Sequence, residues 1–452
     1  MSALALALLL AAADGGGPAL QYEVRASPDS AFLEVAVRRG PQAPASFEFA
    51  RRGPVDVVLV ERGPGQDFAK VTVDDEGGFL VPQDWSVVRY RYALDDAERF
   101  GNALFFGTAT ADGMAVAGRA YLVRPRPCTR ALDFTFTTSG RPALTPWGDG
   151  ARLPVTALEE PGFHVFGGRR CTRSAGAVTL AVGLLGKGAP GLTDEVVCDW
   201  LAASAKEAQL LKPGFPAKRL VVAAVGVDAE EPALFGTERD SSPPSLAVLW
   251  GTRASVPSFR KDWVAVHELL HAVHPQFDPE VPWLAEGLST FFTEVVRARS
   301  GRFAVTEAWG ELLDGFERGA AQAGKRKGQA FMEGRIHGDY QATYWLGALF
   351  ALSLDLRLRE LTGGKASLET AFAAVSVPCT VEQLARAVDA AAGKPVWKAL
   401  LERFRGEVAL SQRQAVLSQL GVRREKGAVT FVEAPLAAAR DALTAPITRT
   451  GE

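Results

Sequence analysis

The sequence predicts a multidomain α+β protein: an antiparallel β-sandwich at the N-terminal end, a mixed α+β and helical middle, and a C-terminal helical region. Three observations carry this reading. The chain has 452 residues, about three times the roughly 150 residues of one domain. Hydrophobic residues make up 47% and charged residues 23%, ordinary globular values that exclude global disorder. The apolar period also changes along the chain, from two residues in the first part to about 3.6 in the last.

The opening stretch, MSALALALLLAAADGGG, holds uncharged apolar residues from Ala3 to Ala13. Its small-residue end makes residues 1–20 read as a secretory signal segment, although no Lys or Arg precedes the apolar part. A secreted or periplasmic protein is therefore expected, with a cytoplasmic one as the alternative. Residues 21–127 contain FLEVAVRR, VDVVLVER, SVVRYRYAL and AVAGRAYLVRP. These are short alternating runs broken by Gly, Pro and Asp, the pattern of an antiparallel sandwich. A second unit is expected over residues 128–375. Its first half mixes the strand-like AVTLAVGLL and RLVVAAVGV with the helix-like DEVVCDWLAASAKEAQLL. Helical periodicity then runs over 262–273, 283–299 and 340–361. Residues 376–452 form the C-terminal helical region, with one helical stretch over 380–423 and a strand-like AVTFVEA after it.

Lys+Arg 50 against Asp+Glu 52 gives a net charge of −2, so no basic footprint for nucleic acid exists. No apolar run reaches the roughly 18 to 20 residues of a membrane span. Cys128, Cys171, Cys198 and Cys379 form no C-x-x-C pair. Disulfides and small buried hydrophobes both fit them.

The chemistry concentrates in VAVHELLHAVHP. His267 and His271 lie four residues apart on the expected helix, about 40° apart around its axis, so both imidazoles reach one metal ion. Glu268 projects beside that ion, where a carboxylate takes a proton from a metal-activated water. With five His and 52 acidic residues in 452, this pattern arises by chance only about 0.006 times per chain. Asp262 is placed to cap the helix and Pro275 to stop it. A zinc site of this kind needs a third protein ligand. The apolar stripe of WLAEGLSTFFTEVVRAR is Leu284, Leu288, Phe291 and Val295, and Glu286, about 200° from Leu284 and Leu288, lies off it and is free to face a cleft. His274 lacks the Gly and later His of an alternative three-histidine site and reads as a helix-end cap.

His-Glu-x-x-His followed by a ligand Glu on the next helix resembles the thermolysin-like gluzincins. WLAEGLSTFF is similar to the corresponding segments of the aminopeptidase N and glycyl aminopeptidase families. YWLGALFALSLDLRLRELTGGKASLETAF resembles the glycyl aminopeptidase segment with a Tyr three residues before a Gly, and TVEQLARAVDAAAGKPVWKALLERFRG resembles that family's closing helices. The likeness covers about Thr193 to Arg423. It implies a thermolysin-like catalytic domain over 128–375 and one Zn2+ per chain. His267, His271 and Glu286 would be its ligands, Glu268 the general base, and Tyr344, three before Gly347, the donor to the oxyanion, with Tyr340 a weaker candidate. FGTERDSS stands where those families place an amine-binding segment, so Gly236 and Glu238 would hold the free amino end of a substrate. Arg239 departs from that segment, and its charge would neutralise Glu238. Only fourteen residues separate His271 from Glu286, which demands a short connection between the ligand helices. His337 and Asp339 are further candidates to line the cleft.

The implied activity is zinc-dependent hydrolysis of a peptide or protein substrate, as an aminopeptidase. An endopeptidase and an inactive peptidase-like binding protein are the alternatives.

Overall fold

The computed structural model describes residues 17–50, 53–55, 57–63, 65–95, 103–333 and 338–447. Most of the expected signal segment and His337 lie outside the described residues. The fold is α+β, with β-sheets first and helices last.

Seven strands form the first sheet: β1 (Leu20–Ala26), β2 (Phe32–Arg39), β3 (Val58–Arg62), β4 (Phe68–Val71), β5 (Trp85–Ala93), β6 (Asp133–Gly140) and β7 (Ala151–Pro154), in the order β7-β6-β1-β2-β5-β3-β4. Two expectations need correction. The pairing of β1 with β6 is parallel, so the sheet is mixed. The boundary expected at 127 also cuts this sheet, because β6 and β7 come from beyond it. In DFTFTTSG the buried residues are Phe134 and Phe136. Their rings need cover, which Tyr22 and Trp147 supply. The first apolar core consequently extends to Phe166.

A small sheet of Thr108–Ala109, Gly113–Ala117, Ala143–Leu144 and Phe163–Gly167 leads into a five-stranded sheet. The latter comprises β8 (Arg169–Ala175), β9 (Val178–Leu185), β10 (Arg219–Val227), β11 (Ala233–Arg239) and β12 (Ser245–Gly251), in the order β8-β9-β10-β12-β11. Val221, Ala223 and Val225 of β10 pack towards the small sheet, while Leu220, Val222 and Ala224 face the helical core. Burial on both faces is why RLVVAAVGV is a continuous apolar run. Strands β8 and β11 are its two edges, and both pair antiparallel.

The helices of eight or more residues are α1 (Asp194–Ala208), α2 (Val264–His271), α3 (Pro282–Arg299), α4 (Val305–Ala323), α5 (Tyr340–Thr362), α6 (Val381–Ala392), α7 (Trp397–Gly406), α8 (Arg413–Leu420) and α9 (Ala437–Thr444). A disulfide between Cys171 and Cys198 ties β8 to α1, and Cys128 and Cys379 stay as thiols. The single stretch expected over 380–423 is three helices, because Gly393 and Gly421 adopt left-handed backbone at two of the helix ends. Strand-like AVTFVEA becomes one arm of a hairpin, Val422–Glu425 with Ala428–Phe431. Helix α4 has no counterpart in the periodicity reading. Its glycines obscure the apolar stripe, and Gly315 and Gly319 make room for the Trp345 side chain of α5. Among the described residues no helix is long and apolar enough to cross a membrane.

His164 tests how the N-terminal sheets hold together. It is fully buried among Tyr121, Phe136, Trp147 and Phe166. Its Nδ1 accepts from the Tyr121 hydroxyl at 2.6 Å and its Nε2–H donates to the Pro161 carbonyl at 3.1 Å. Burial lowers its pKa to about 4. The unfolded chain takes up this proton near pH 6.5, whereas the folded ring resists it until about pH 4. The stability is therefore complete above pH 6.5 and falls by about 3 kcal/mol as the pH drops to 4. Denaturant midpoints from pH 7.5 to 4 should show this fall as the difference between wild type and His164→Gln. Parallel pH profiles for the two proteins would contradict the assignment.

Candidate active site

The site forms where α2, α3, α5 and β11 meet. Helix α2 begins as its sequence dictates: Asp262 accepts hydrogen bonds from the backbone of Val264 at 3.2 Å and Ala265 at 3.1 Å, and from Trp200 Nε1. Such a cap contributes about 1 kcal/mol. Helix α3 carries Pro282 in its first turn and buries Leu284, Leu288, Phe291 and Val295. Four such side chains at about 1.5 to 3 kcal/mol each outweigh the cost of about 1 kcal/mol for Gly287 within the helix.

Gly287 has a steric task. It faces Gly347 where α3 crosses α5. A Cβ on Gly347 would lie 2.7 Å from Gly287 Cα, and one on Gly287 would overlap the Gly347 backbone. Glu286 and Tyr344 stand beside that crossing, and both are thereby brought to the α2 histidines. The ten-residue connection from α2 to α3 is as short as the sequence demands. It is pinned to Cys379 by backbone hydrogen bonds from both sides.

Glu286 Oε2 lies 3.1 Å from His267 Nε2 and 3.5 Å from His271 Nε2. Ligand atoms of these three residues lie within 4.8 Å of one another. Two imidazole nitrogens and one carboxylate oxygen converging on one point fit a zinc ion. The electrostatics of the cluster agree with that fit. Although burial opposes it, His271 holds Glu286 well below the usual carboxylate range, with His267 adding to the effect. Glu286 in turn lifts His271 to about 9 against burial. The carboxylate thus needs a cation beside it, which a proton on His271 or a divalent ion supplies.

Glu268 sits next to the cluster without joining it. Burial raises its pKa, the two imidazoles lower it and Glu286 raises it. Gly236 on β11 backs directly onto it, and a methyl at Gly236 would come within 2.5 Å of Glu268 Cγ. The Tyr344 ring stacks on His267 with centroids 6.0 Å apart and planes 6° apart. Burial, then the charges of Glu286 and Glu268, keep its phenol protonated. Tyr340 is half exposed at the rim, against Tyr344.

Glu238, two residues along β11 from Gly236, also turns towards this cluster. Its Oε1 is enclosed and has no hydrogen-bond partner. Burial pushes its pKa up to about 8, with His271 opposing and Asp240 reinforcing that rise. The expected neutralisation by Arg239 is reduced by the strand's own geometry. Adjacent residues point to opposite faces, and the Arg239 guanidinium lies over the rings of Phe105 and Phe163.

Two other expectations change. His274 is no helix-end cap: it is buried, Nδ1–H donates to the Pro275 carbonyl, and Nε2 accepts from Ser289, each at 2.9 Å. It fastens α3 to the end of α2. Asp339 is engaged on the surface by Arg326 at 2.8 and 3.0 Å. Thr290 and Trp263, which the motif reading passed over, also border the site beside His267. Thr290 was legible as the residue one helical turn beyond Glu286.

No family model and no curated protein matches the sequence. Solved structures do. An aminopeptidase N family protein from Idiomarina loihiensis matches with a TM-score of 0.70 at 14% identity, covering 90% of this chain and 79% of its own. A two-domain M1 zinc metallopeptidase variant bound to L-arginine matches with a TM-score of 0.52 at 15% identity, over 86% and 94% of the two chains. The chain therefore shares the fold of these metallopeptidases.

Chelator competition on the purified protein should give one tightly bound zinc per chain. Glu286→Ala should weaken its binding by at least a hundredfold, since a structured site loses a ligand. Gly347→Ala leaves every ligand in place but forces α3 from α5, and should weaken zinc at least tenfold and cost about 1 to 3 kcal/mol in stability. Unchanged zinc affinity in Gly347→Ala would show that the helix crossing does not set the site.

Proposed function

We propose that this protein is a zinc-dependent peptidase that removes residues from free amino ends. The observation that carries the proposal is the convergence of His267, His271 and Glu286 on one point, with Glu268 and Tyr344 on its flanks. When bound there, zinc supplies Lewis acidity towards a water molecule and towards a peptide carbonyl. His267, His271 and Glu286 would hold it.

The rest is done by the chain's own groups. Glu268, with its raised proton affinity, receives the proton of the attacking water and delivers it to the leaving amine nitrogen. Its position against Gly236 limits its movement to the carboxylate end. The protonated Tyr344 hydroxyl donates to the oxygen on which negative charge develops, an interaction made fully only in the transition state. Glu238 takes the ammonium group of the substrate. Its enclosed, unpartnered Oε1 then gains a charged donor, and the bond formed replaces a buried acceptor that would otherwise cost about 1 to 3 kcal/mol. A substrate without a free ammonium leaves that penalty in place, which is the physical basis of exopeptidase selection. The fold similarity to an aminopeptidase N family protein supports the same reading.

The test pairs a short peptide with its N-acetylated form. The zinc-loaded protein should cut the free peptide at least a hundredfold faster. Glu268→Gln should retain zinc yet lose at least a thousandfold in kcat. Glu238→Gln should chiefly raise KM for the free peptide and narrow the gap to the acetylated one. Equal cleavage of both peptides would point to an endopeptidase, and no cleavage despite bound zinc would point to a binding protein.

A further inference from the structure

A cavity of about 100 Å³ opens beside the metal-ligand cluster on the side of His267 and Tyr344. Its inner wall includes Thr290, which is 8% exposed and whose Oγ1 has no hydrogen-bond partner. The cavity wall thus contains a residue with an unsatisfied polar atom, a mark of a place where polar partners are missing. The charge at the floor is already balanced, because Glu294 is bonded to Arg297 at 2.8 and 2.9 Å. The mouth is different. Arg318 of α4 lies over the Trp345 ring at 5.6 Å, and no carboxylate pairs with it among the described residues. Trp345 is the residue after Tyr344. Gly315 and Gly319 admit its side chain against α4, so the guanidinium is held in register with the phenol. Gln341 gives its Oε1 to Trp345 Nε1 at 3.1 Å, which leaves its amide N–H groups free to donate at the same mouth. Glu311 borders the cavity as well. It stands seven residues before Arg318 on α4, about 10 Å along the helix, and repels an anion from the opposite end of the mouth.

We infer that Arg318, with Gln341, binds the terminal carboxylate of a short peptide whose scissile carbonyl lies at His267 and Tyr344, so that dipeptides and other very short peptides are the preferred substrates. This rests on the peptidase reading above. The cavity has room for about one residue, and the part of the substrate leaving as the new amine extends into it. With Glu238 two residues from Gly236 on β11, which backs onto Glu268, the amino end of a dipeptide meets an unpartnered carboxyl group and its other end a guanidinium. A planar guanidinium beside an amide donor suits a carboxylate and not a carboxamide.

The experiment compares leucyl-alanine with leucyl-alaninamide, and also their non-hydrolysable reduced-bond analogues, on zinc-loaded wild type, Arg318→Gln and Arg318→Lys. Calorimetry should give the acid analogue at least tenfold tighter binding than the amide in wild type. That ratio should fall to near one in Arg318→Gln and recover in part in Arg318→Lys. In turnover the same preference should appear in KM and little in kcat. Equal binding of acid and amide by wild type, or a preference that survives Arg318→Gln, would overturn the inference. A preference in binding that depends on Arg318, without hydrolysis of either peptide, would uphold the carboxylate site and refute the peptidase reading.

Discussion

The contact on which the site depends is the crossing of α3 and α5 at Gly287 and Gly347. A glycine in the middle of a helix costs about 1 kcal/mol relative to alanine, and two are placed opposite each other here. Their removal from the steric problem lets the two backbones touch. The residue before one glycine is Glu286, and the residue three before the other is Tyr344. A helix fixes the direction of each side chain relative to its own axis, so the distance between axes decides whether Glu286 and Tyr344 reach the same histidines. The apolar stripe of α3 supplies the energy that keeps the axes at that distance. Packing and chemistry are thus separate faces of a single helix.

A second constraint is electrostatic. Three half-buried carboxylates, Glu238, Glu268 and Glu286, face two imidazoles. Burial alone would protonate all three, and it does push up Glu238 and Glu268. Glu286 escapes only because two histidines point at it. A divalent ion at their meeting point satisfies Glu286 without using the proton on His271. The neighbouring carboxylates differ by position, and the proposed roles follow that difference: Glu268, beside the His267–His271–Glu286 cluster, would transfer the proton, and Glu238, on the sheet edge, would take the substrate cation.

Much of this was legible in the sequence, and the reasons are specific. His267, Glu268 and His271 were readable because the four-residue spacing and the capping Asp262 both refer to one local helix. Glu286 was readable because it lies off a clear apolar stripe. What stayed hidden depends on contacts between distant segments. DFTFTTSG alternates as clearly as the strands upstream, yet nothing local says that β6 pairs with β1 in parallel. Helix α4 was concealed by glycines whose purpose is visible only once the side chain of Trp345 is seen against them. The orientation of Arg239 was hidden as well, because only the pairing of its segment as strand β11 and the cover of Phe105 and Phe163 show that it turns away from Glu238. His274 lay within the motif itself, and its partner Ser289 comes from the next helix.

The same glycine device recurs on the far side of α5. Gly287 brings α3 against one flank at Gly347, and Gly315 and Gly319 bring α4 against another at Trp345. Tyr344 lies between these two anchoring points, one residue from Trp345 and three from Gly347. Its phenol is therefore referenced both to the helix that carries Glu286 and to the helix that carries Arg318. In the proposed role a hydroxyl meets a developing charge within a few tenths of an ångström, and it gains from being fixed on both sides, because a shift of either neighbour would otherwise be transmitted to it unopposed. Helix α2, which carries the histidines, is held differently, by the sheet edge at Gly236 against Val264 and Glu268 and by the buried His274 clasp. The cavity beside Tyr344 is bordered by the longer side chains of Gln341, Glu311 and Arg318.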